Sequence, residues 1–157
     1  MLNITLISVS HKQPAWVNDA YSEYAKRLPS RELKLEFKEI KPEPREGKTV
    51  EHAMAQEAVR INAVIPRGAH VIALDERGQD LTSVGLAKQL LHWQHEFSNL
   101  ALIVGGADGL DPSFKASCHG LVRLSSLTMP HGMVRVLLAE QIYRAVSINN
   151  NHPYHRV

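Results

Sequence analysis

A chain of 157 residues, 44% hydrophobic and 22% charged, has the length and balance of a single soluble domain, residues 1–157, with a real core. No apolar run approaches the roughly 18 residues of a membrane span, and the start lacks the basic region and cleavage site of a signal peptide. The one cysteine, Cys118, has no mate for an internal disulfide, so a cytoplasmic protein is expected, and a formal charge of +2 is too small to define a nucleic-acid binder by itself.

In chain order, Leu2 to Val9 is a short apolar run that predicts a buried strand. Pro14 opens a helix with Trp16, Val17, Ala20, Tyr21 and Tyr24 at helical spacing, ending near Leu28-Pro29. Leu33 to Ile40 alternates and predicts a half-exposed strand. Lys41 to Lys48, with two prolines and mixed charges, predicts a mobile surface loop. Thr49 caps the next helix, which Ala53, Ala55, Val59, Ala63 and Val64 carry to Pro66.

The second half repeats the rhythm. Ala69 to Asp75 predicts a strand ending in a carboxylate, Glu76 to Asp80 a turn, and Thr82 or Ser83 the cap of a helix through Leu86, Leu90, Leu91 and Trp93. Leu100 to Val104 is another buried strand, followed directly by Gly105-Gly-Ala-Asp-Gly109. Asp111-Pro112 starts a short helix, a strand covers Leu121 to Ser125, and a long helix follows Gly132. Alternation of this kind predicts an α/β fold with a largely parallel sheet, whose ligands bind outside the carboxyl ends of the strands. Leu74 to Gly78, Gly105 to Gly109 and Leu124 to His131 lie at those ends, and their convergence defines the expected site.

Several motifs are weighed and set aside. The 105–109 glycines do not have the GxGxxG spacing of a dinucleotide fold; alone they serve equally as a plain turn or a ligand loop. Glu46-Gly-Lys-Thr49 lacks the earlier glycine of a P-loop, with Pro42 in that place. His92, His95 and Glu96 read as surface groups without a third ligand, so no metal is expected. Cys118 reads as a small core residue rather than a nucleophile.

The final helix is apolar on more than one face: Met133, Val134, Val136, Leu137, Leu138, Ile142, Val146 and Ile148. One side suits the protein's own sheet and the other a second subunit, so a homodimer is expected. Arg135, Glu140, Tyr143 and Arg144 interrupt it and have internal pairing as their plainest explanation. From Arg123 onward, Arg123, Arg135, Arg144 and Arg156 face Glu140 alone; that basic end suits an anionic partner or is a solvated surface. In the tail, His152-Pro-Tyr-His-Arg156, tyrosine can stack on a base, arginine can grip phosphate and histidine can move a proton.

Taken together, Leu74-Asp75, Ile103-Val-Gly-Gly-Ala-Asp-Gly-Leu110, Leu124-Ser-Ser-Leu-Thr-Met-Pro-His131, Arg135 to Ala145 and Asn151-His-Pro-Tyr-His155 closely resemble the RlmH (YbeA-like) family of SPOUT methyltransferases, across essentially the whole chain. The resemblance implies an α/β-knot fold with a C-terminal deep trefoil knot, a homodimer, and S-adenosylmethionine as methyl donor. It implies methylation of N3 of pseudouridine 1915 in the 23S rRNA of the large ribosomal subunit. Matched by position, the cofactor pocket would be Leu74, Gly105, Leu124, Ser125, Ser126, Leu127, Thr128 and Met129. Ser126 and Met129 depart from relatives that vary there among small and apolar residues, so mainly backbone contacts are expected at both. His155 would transfer the N3 proton, Tyr154 would stack or position the base, and Arg144 and Arg156 would stabilise charge and hold phosphate, in a site that can combine two subunits. With no separate RNA-binding module, the assembled ribosome is the expected substrate. The alternatives are a methyltransferase of the same fold acting on another RNA such as tRNA, and a non-catalytic ribosome-binding module.

Overall fold

The computed structural model describes residues 1–156. Along the chain run β1 (Leu2–Val9), α1 (Ala15–Ala25), β2 (Leu33–Ile40), α2 (Val50–Val64), β3 (His70–Asp80), α3 (Ser83–Glu96), β4 (Asn99–Val104), α4 (Pro112–Ser117), β5 (Gly120–Arg123) and α5 (His131–Asn149). The strands form a five-stranded parallel sheet in the order β2-β1-β4-β3-β5.

Successive strand residues face opposite ways, and this sorts the core into two layers. Leu2, Ile4 and Leu6 join Leu100, Leu102 and Ile72 under Leu90 and Trp93 of α3 and Leu138 and Ile142 of α5. Ile7, Val9, Ala101 and Ile103 face the other way, against Ala58 and Ile61 of α2 and Phe114 of α4. Burying each of the Leu, Ile, Val and Phe side chains among them is worth about 1.5–3 kcal/mol. After the edge strand β5, α5 crosses back to pack on α1 and α3, a course consistent with the expected knot. Gly132 lets α5 come close to α1: a Cβ there would sit 2.9 Å from Gln13 Oε1 and from Val17.

The helix starts follow the expected chemistry. Thr49 Oγ1 accepts from the His52 amide, Thr82 Oγ1 (rather than Ser83) from that of Gly85, and Asp111 Oδ2 from that of Phe114, with Pro112 in the first turn.

Other expectations are corrected. The buried face of α2 is Ala53, Glu57, Ala58 and Ile61, while Ala55, Val59 and Ala63 face outward; a carboxylate on the inner face misdirects a reading based on apolar residues. Residues 41–48 are not a free loop, because Glu43 and Arg45 fasten them to α2. Trp16 and Leu91 are exposed despite their helical spacing. The basic C-terminal end is largely neutralised within the chain: Arg123 pairs with Asp80, Arg135 with Glu39 and Arg144 with Glu140. Arg135, only 3% exposed, also donates to Asn18 and Ser10 and lies over the Phe37 ring, fixing α5 to β1, β2 and α1.

The expected turn at Glu76–Asp80 is instead part of β3. Leu74 and Gln79 both align with Val122, so the intervening residues bulge out. Gly78 lies against β5 so closely that a Cβ would stand 2.6 Å from Val122 N and C. Those are backbone atoms with no rotamer to yield. Gly78→Ala is therefore expected to destabilise the protein by about 1–3 kcal/mol, read as a lower urea midpoint.

Candidate functional site

In a parallel sheet the carboxyl ends of all the strands lie on one rim, and β3, β4 and β5 end side by side there. The bulge of β3 and the loops that leave β4 and β5 line a cavity of about 650 Å³. Leu74, Gly105, Leu124, Ser125, Ser126, Leu127, Thr128 and Met129 all line it, together with Asp75, Lys115 and His131. Leu74, Leu124, Ser125, Leu127 and Met129 also border an apolar cavity of about 500 Å³ that reaches between α3, α5 and the sheet. Both volumes are in the range of small-molecule sites.

The glycine loop is both turn and wall. The Gly109 amide donates to Gly106 O at 3.0 Å, and Gly109 has φ +83°, a conformation that favours glycine. A Cβ on Gly105 would lie 2.8 Å from Gly109 C and 2.9 Å from Leu110 Cγ, so the bare backbone presented to the cavity is a packing requirement. In the 124–129 loop, the Leu127 amide donates to Ser125 Oγ at 3.0 Å while the Leu127 side chain is 77% exposed.

Charge is arranged at the rim. Lys115 Nζ lies 2.8 Å from Asp75 Oδ2, and the Arg77 amide donates to Asp75 Oδ1. Burial alone would raise the Asp75 carboxyl, but these bonds outweigh it and hold it below its usual value. His131 opens α5 beside the cavity, where burial, aided by the charge of Arg135, pushes its imidazole down. His70, stacked between Phe97 and His119 at 4.1 and 4.8 Å, is lowered by burial and then by its histidine neighbours. Both rings are favoured neutral in the fold, so below the ordinary value of 6.5 the unfolded chain binds more protons. That stability is present above pH ~6.5 and lost as pH falls through and below it. The melting midpoint is expected to drop on acidification over this window, and His70→Gln with His131→Gln to flatten the slope.

The tail forms a second cluster. Glu140 Oε1 accepts from Arg144 Nε at 2.9 Å, from Arg144 Nη2 at 2.5 Å and from the Tyr154 hydroxyl at 3.1 Å. Arg144 Nη1 is 3.1 Å from His155 Nδ1, and its guanidinium lies 4.9 Å from the centre of the Tyr154 ring. An arginine only donates, so Nδ1 accepts and the proton of a neutral His155 resides on Nε2. Burial, then hydrogen bonding to Glu140, pushes the Tyr154 hydroxyl up to about 12, and it stays protonated. Tyr143 meets Tyr154 edge-on at 4.7 Å, and Arg27, in the turn after α1, lies over Tyr24 and Tyr143. Arg156 is exposed.

These groups are brought together, but not at the cavity. Arg144, Tyr154, His155 and Arg156 line neither cavity, and at ~1.5 Å per helical residue, roughly 20 Å of α5 separates Arg144 from His131. Glu140, the hub of the cluster, and Asp75, Lys115 and His131 at the rim were not expected as site residues; the i,i+4 spacing of Glu140 and Arg144 was the available signal for the first.

The remaining candidates are quiet. Cys118 is half-buried and packs against the core, its thiol 3.4 Å from Phe114 O, and burial raises its pKa, which disfavours the nucleophilic thiolate. His92, His95 and Glu96 are exposed, and among the described residues no three His, Cys, Asp or Glu side chains are grouped to hold a metal. No helix of the described residues is long and apolar enough to cross a membrane.

A parallel α/β sheet with a glycine loop, a C-terminal loop lining the same cavity and a helix that returns across the sheet is the architecture of the SPOUT methyltransferases. The chain belongs to that family: residues 2–155 match the model described as predicted SPOUT methyltransferase. It is 58% identical over 157 residues, 99% of this chain and 100% of the relative, to ribosomal RNA large subunit methyltransferase H of Ralstonia nicotianae (strain ATCC BAA-1114 / GMI1000). The protein of the same name from Bordetella avium (strain 197N) is 58% identical over 156 residues, 99% of each chain. Among solved structures, a methylase family protein from Neisseria gonorrhoeae superposes with a TM-score of 0.57 at 14% identity, covering 99% of this chain and 86% of that one. That likeness is one of fold.

Proposed function

We propose that the protein transfers a methyl group from S-adenosylmethionine to N3 of pseudouridine 1915 in the 23S rRNA of the large ribosomal subunit. It does so as a homodimer, on assembled ribosomes in the cytoplasm. The observation that carries this reading is the single cavity on which Leu74, Gly105 and residues 124–129 converge. The names of the full-length relatives supply large-subunit ribosomal RNA as the substrate class.

When bound, S-adenosylmethionine supplies a sulfonium methyl that is already activated, so alignment of the acceptor is the main task left to the protein. Gly105 and Gly106 offer backbone without side chains, and they and residues 124–129 would hold the cofactor largely through main-chain groups. The acceptor N3 must lose a proton, and the resulting negative charge spreads onto the carbonyls beside it. Arg144, held in place by Glu140, stabilises that charge through its guanidinium, and His155 in its Nε2–H form donates a hydrogen bond to the same anion. Proton uptake by His155 takes place only at a nitrogen free of a proton; while Arg144 holds Nδ1, that requires the imidazole to exchange tautomers. Tyr154 positions the base and Arg156 holds phosphate.

The separation along α5 favours a site shared by two copies, the tail of one serving the cavity of the other. The exposed apolar side chains Trp16, Leu127 and Met133 suit contact with a second copy. The test is transfer of tritium from labelled S-adenosylmethionine to ribosomes lacking the modification, followed by nucleoside analysis. Label in 3-methylpseudouridine is expected. Label in another nucleoside would overturn the acceptor, and no label would overturn the activity.

A further inference from the structure

We infer that Arg45 is a positioning residue for the cofactor cavity, acting through Asp108 of the glycine loop and the buried Glu57 of α2. The inference rests on the cofactor reading above.

Arg45 lines neither cavity. Its Nη1 donates to Glu57 Oε2 and to Glu43 O, each at 2.7 Å, while Nε and Nη2 reach Asp108 Oδ2 at 3.1 and 3.0 Å. One planar guanidinium thus joins a helix, a crossing loop and the glycine turn, a geometry that lysine does not reproduce. Glu57 is the unusual member. Its side chain is 3% exposed, among Ala53, Ala58 and Ile61, and a carboxylate removed from water is tolerated where donors surround it. Here the donors are Arg45 and the Glu43 amide at 3.0 Å. Glu43 is held in turn by Lys48 and Arg60, so residues 43–48 close into a strap fixed to α2.

The end of the tie at Asp108 is what matters for the site. Asp108 lies two residues beyond Gly106, in the cavity lining, within a turn whose Ala107, Asp108 and Gly109 are exposed. A loop with three glycines has much conformational freedom to lose on binding, and the Arg45 tie removes part of it beforehand. The Gly106 position also faces Glu57, with its Cβ direction 3.5 Å from Oε1, so both ends of the tie bear on the same turn.

Two readings test the tie, with Arg45→Met, Asp108→Asn and their double variant, and with Arg45→Lys as the variant that keeps charge beside Glu57. Hydrogen exchange without cofactor reads positioning directly: the amides of residues 105–109 are expected to exchange faster in Arg45→Met while β1 and β4 remain protected. Titration calorimetry with S-adenosylhomocysteine reads the consequence. Each single variant is expected to bind about five- to tenfold more weakly, Arg45→Lys included, and the double variant no more weakly than the weaker single. KM for S-adenosylmethionine should rise with kcat unchanged, a split that general destabilisation would not give. Unchanged exchange at 105–109, or multiplicative losses in the double variant, would overturn the inference. Failure of the wild-type protein to bind S-adenosylhomocysteine would instead overturn the cofactor reading, with the exchange data still deciding whether Arg45 positions the loop.

Discussion

Arg144→Ala is expected to lower methyl transfer by about 100-fold or more while leaving cofactor affinity within about twofold, because charge placed at the developing anion acts on the transition state and not on the cofactor. The structure places Arg144 against three members of the tail cluster. It neutralises Glu140, fixes His155 by its Nδ1 and lies against the Tyr154 ring. Truncation removes the cation and leaves Glu140 as an uncompensated negative charge where the proposed mechanism needs negative charge to form. Arg144→Lys restores the charge without the fork that reaches Glu140 and His155 together, so only partial recovery is expected. Single-turnover transfer beside titration with S-adenosylhomocysteine separates the two effects. A parallel loss of cofactor affinity would place Arg144 at the cofactor instead.

The opposite pattern is expected of Gly105→Ala. The added Cβ would stand 2.8 Å from Gly109 C and 3.0 Å from Gly109 O, and backbone yields only by reshaping the turn. At about 1–3 kcal/mol for such overpacking, cofactor affinity is expected to fall by roughly 10- to 100-fold, with the tail cluster unaffected. Gly68→Ala is the control. Gly68 also has positive φ, +76°, with open space around it, and lies between α2 and β3, outside both the strap and the cavity lining, so it carries backbone strain without blocking the turn. Equal losses of affinity in the two variants would contradict the packing argument.

Much of this was legible in the sequence. The strands β1 and β2 fall where apolar runs and alternation place them, and the caps Thr49, Thr82 and Asp111 follow from local hydrogen-bond chemistry. The convergence of the three loops follows from parallel topology, since it needs only the rule that ligands meet strand carboxyl ends. What was not legible depended on partners distant in sequence. The β3 extension is set by pairing across a bulge with Val122, and turn-forming residues such as Gly78 read alike in a turn and a bulge. The inner face of α2 is marked by Glu57, whose burial makes sense only once Arg45 is brought beside it. Arg135 read as a member of a helix-surface pair, but its partners Ser10, Asn18 and Glu39 lie far away in the chain. The tail's distance from the cavity along α5 appears only in three dimensions.

The most direct measurement mixes the two crippled chains. Arg144→Ala keeps an intact cavity with a defective tail, and Gly105→Ala keeps an intact tail with a defective cavity. After co-refolding in equal amounts, transfer of labelled methyl groups to ribosomes is measured against each variant alone. If the tail of one subunit serves the cavity of the other, heterodimers contain one intact site, and activity is expected to return to about a quarter of the wild-type level under random pairing. If the mixture, with heterodimers shown to be present, stays as inactive as its components, the shared site is contradicted, and tail and cavity must act within one chain.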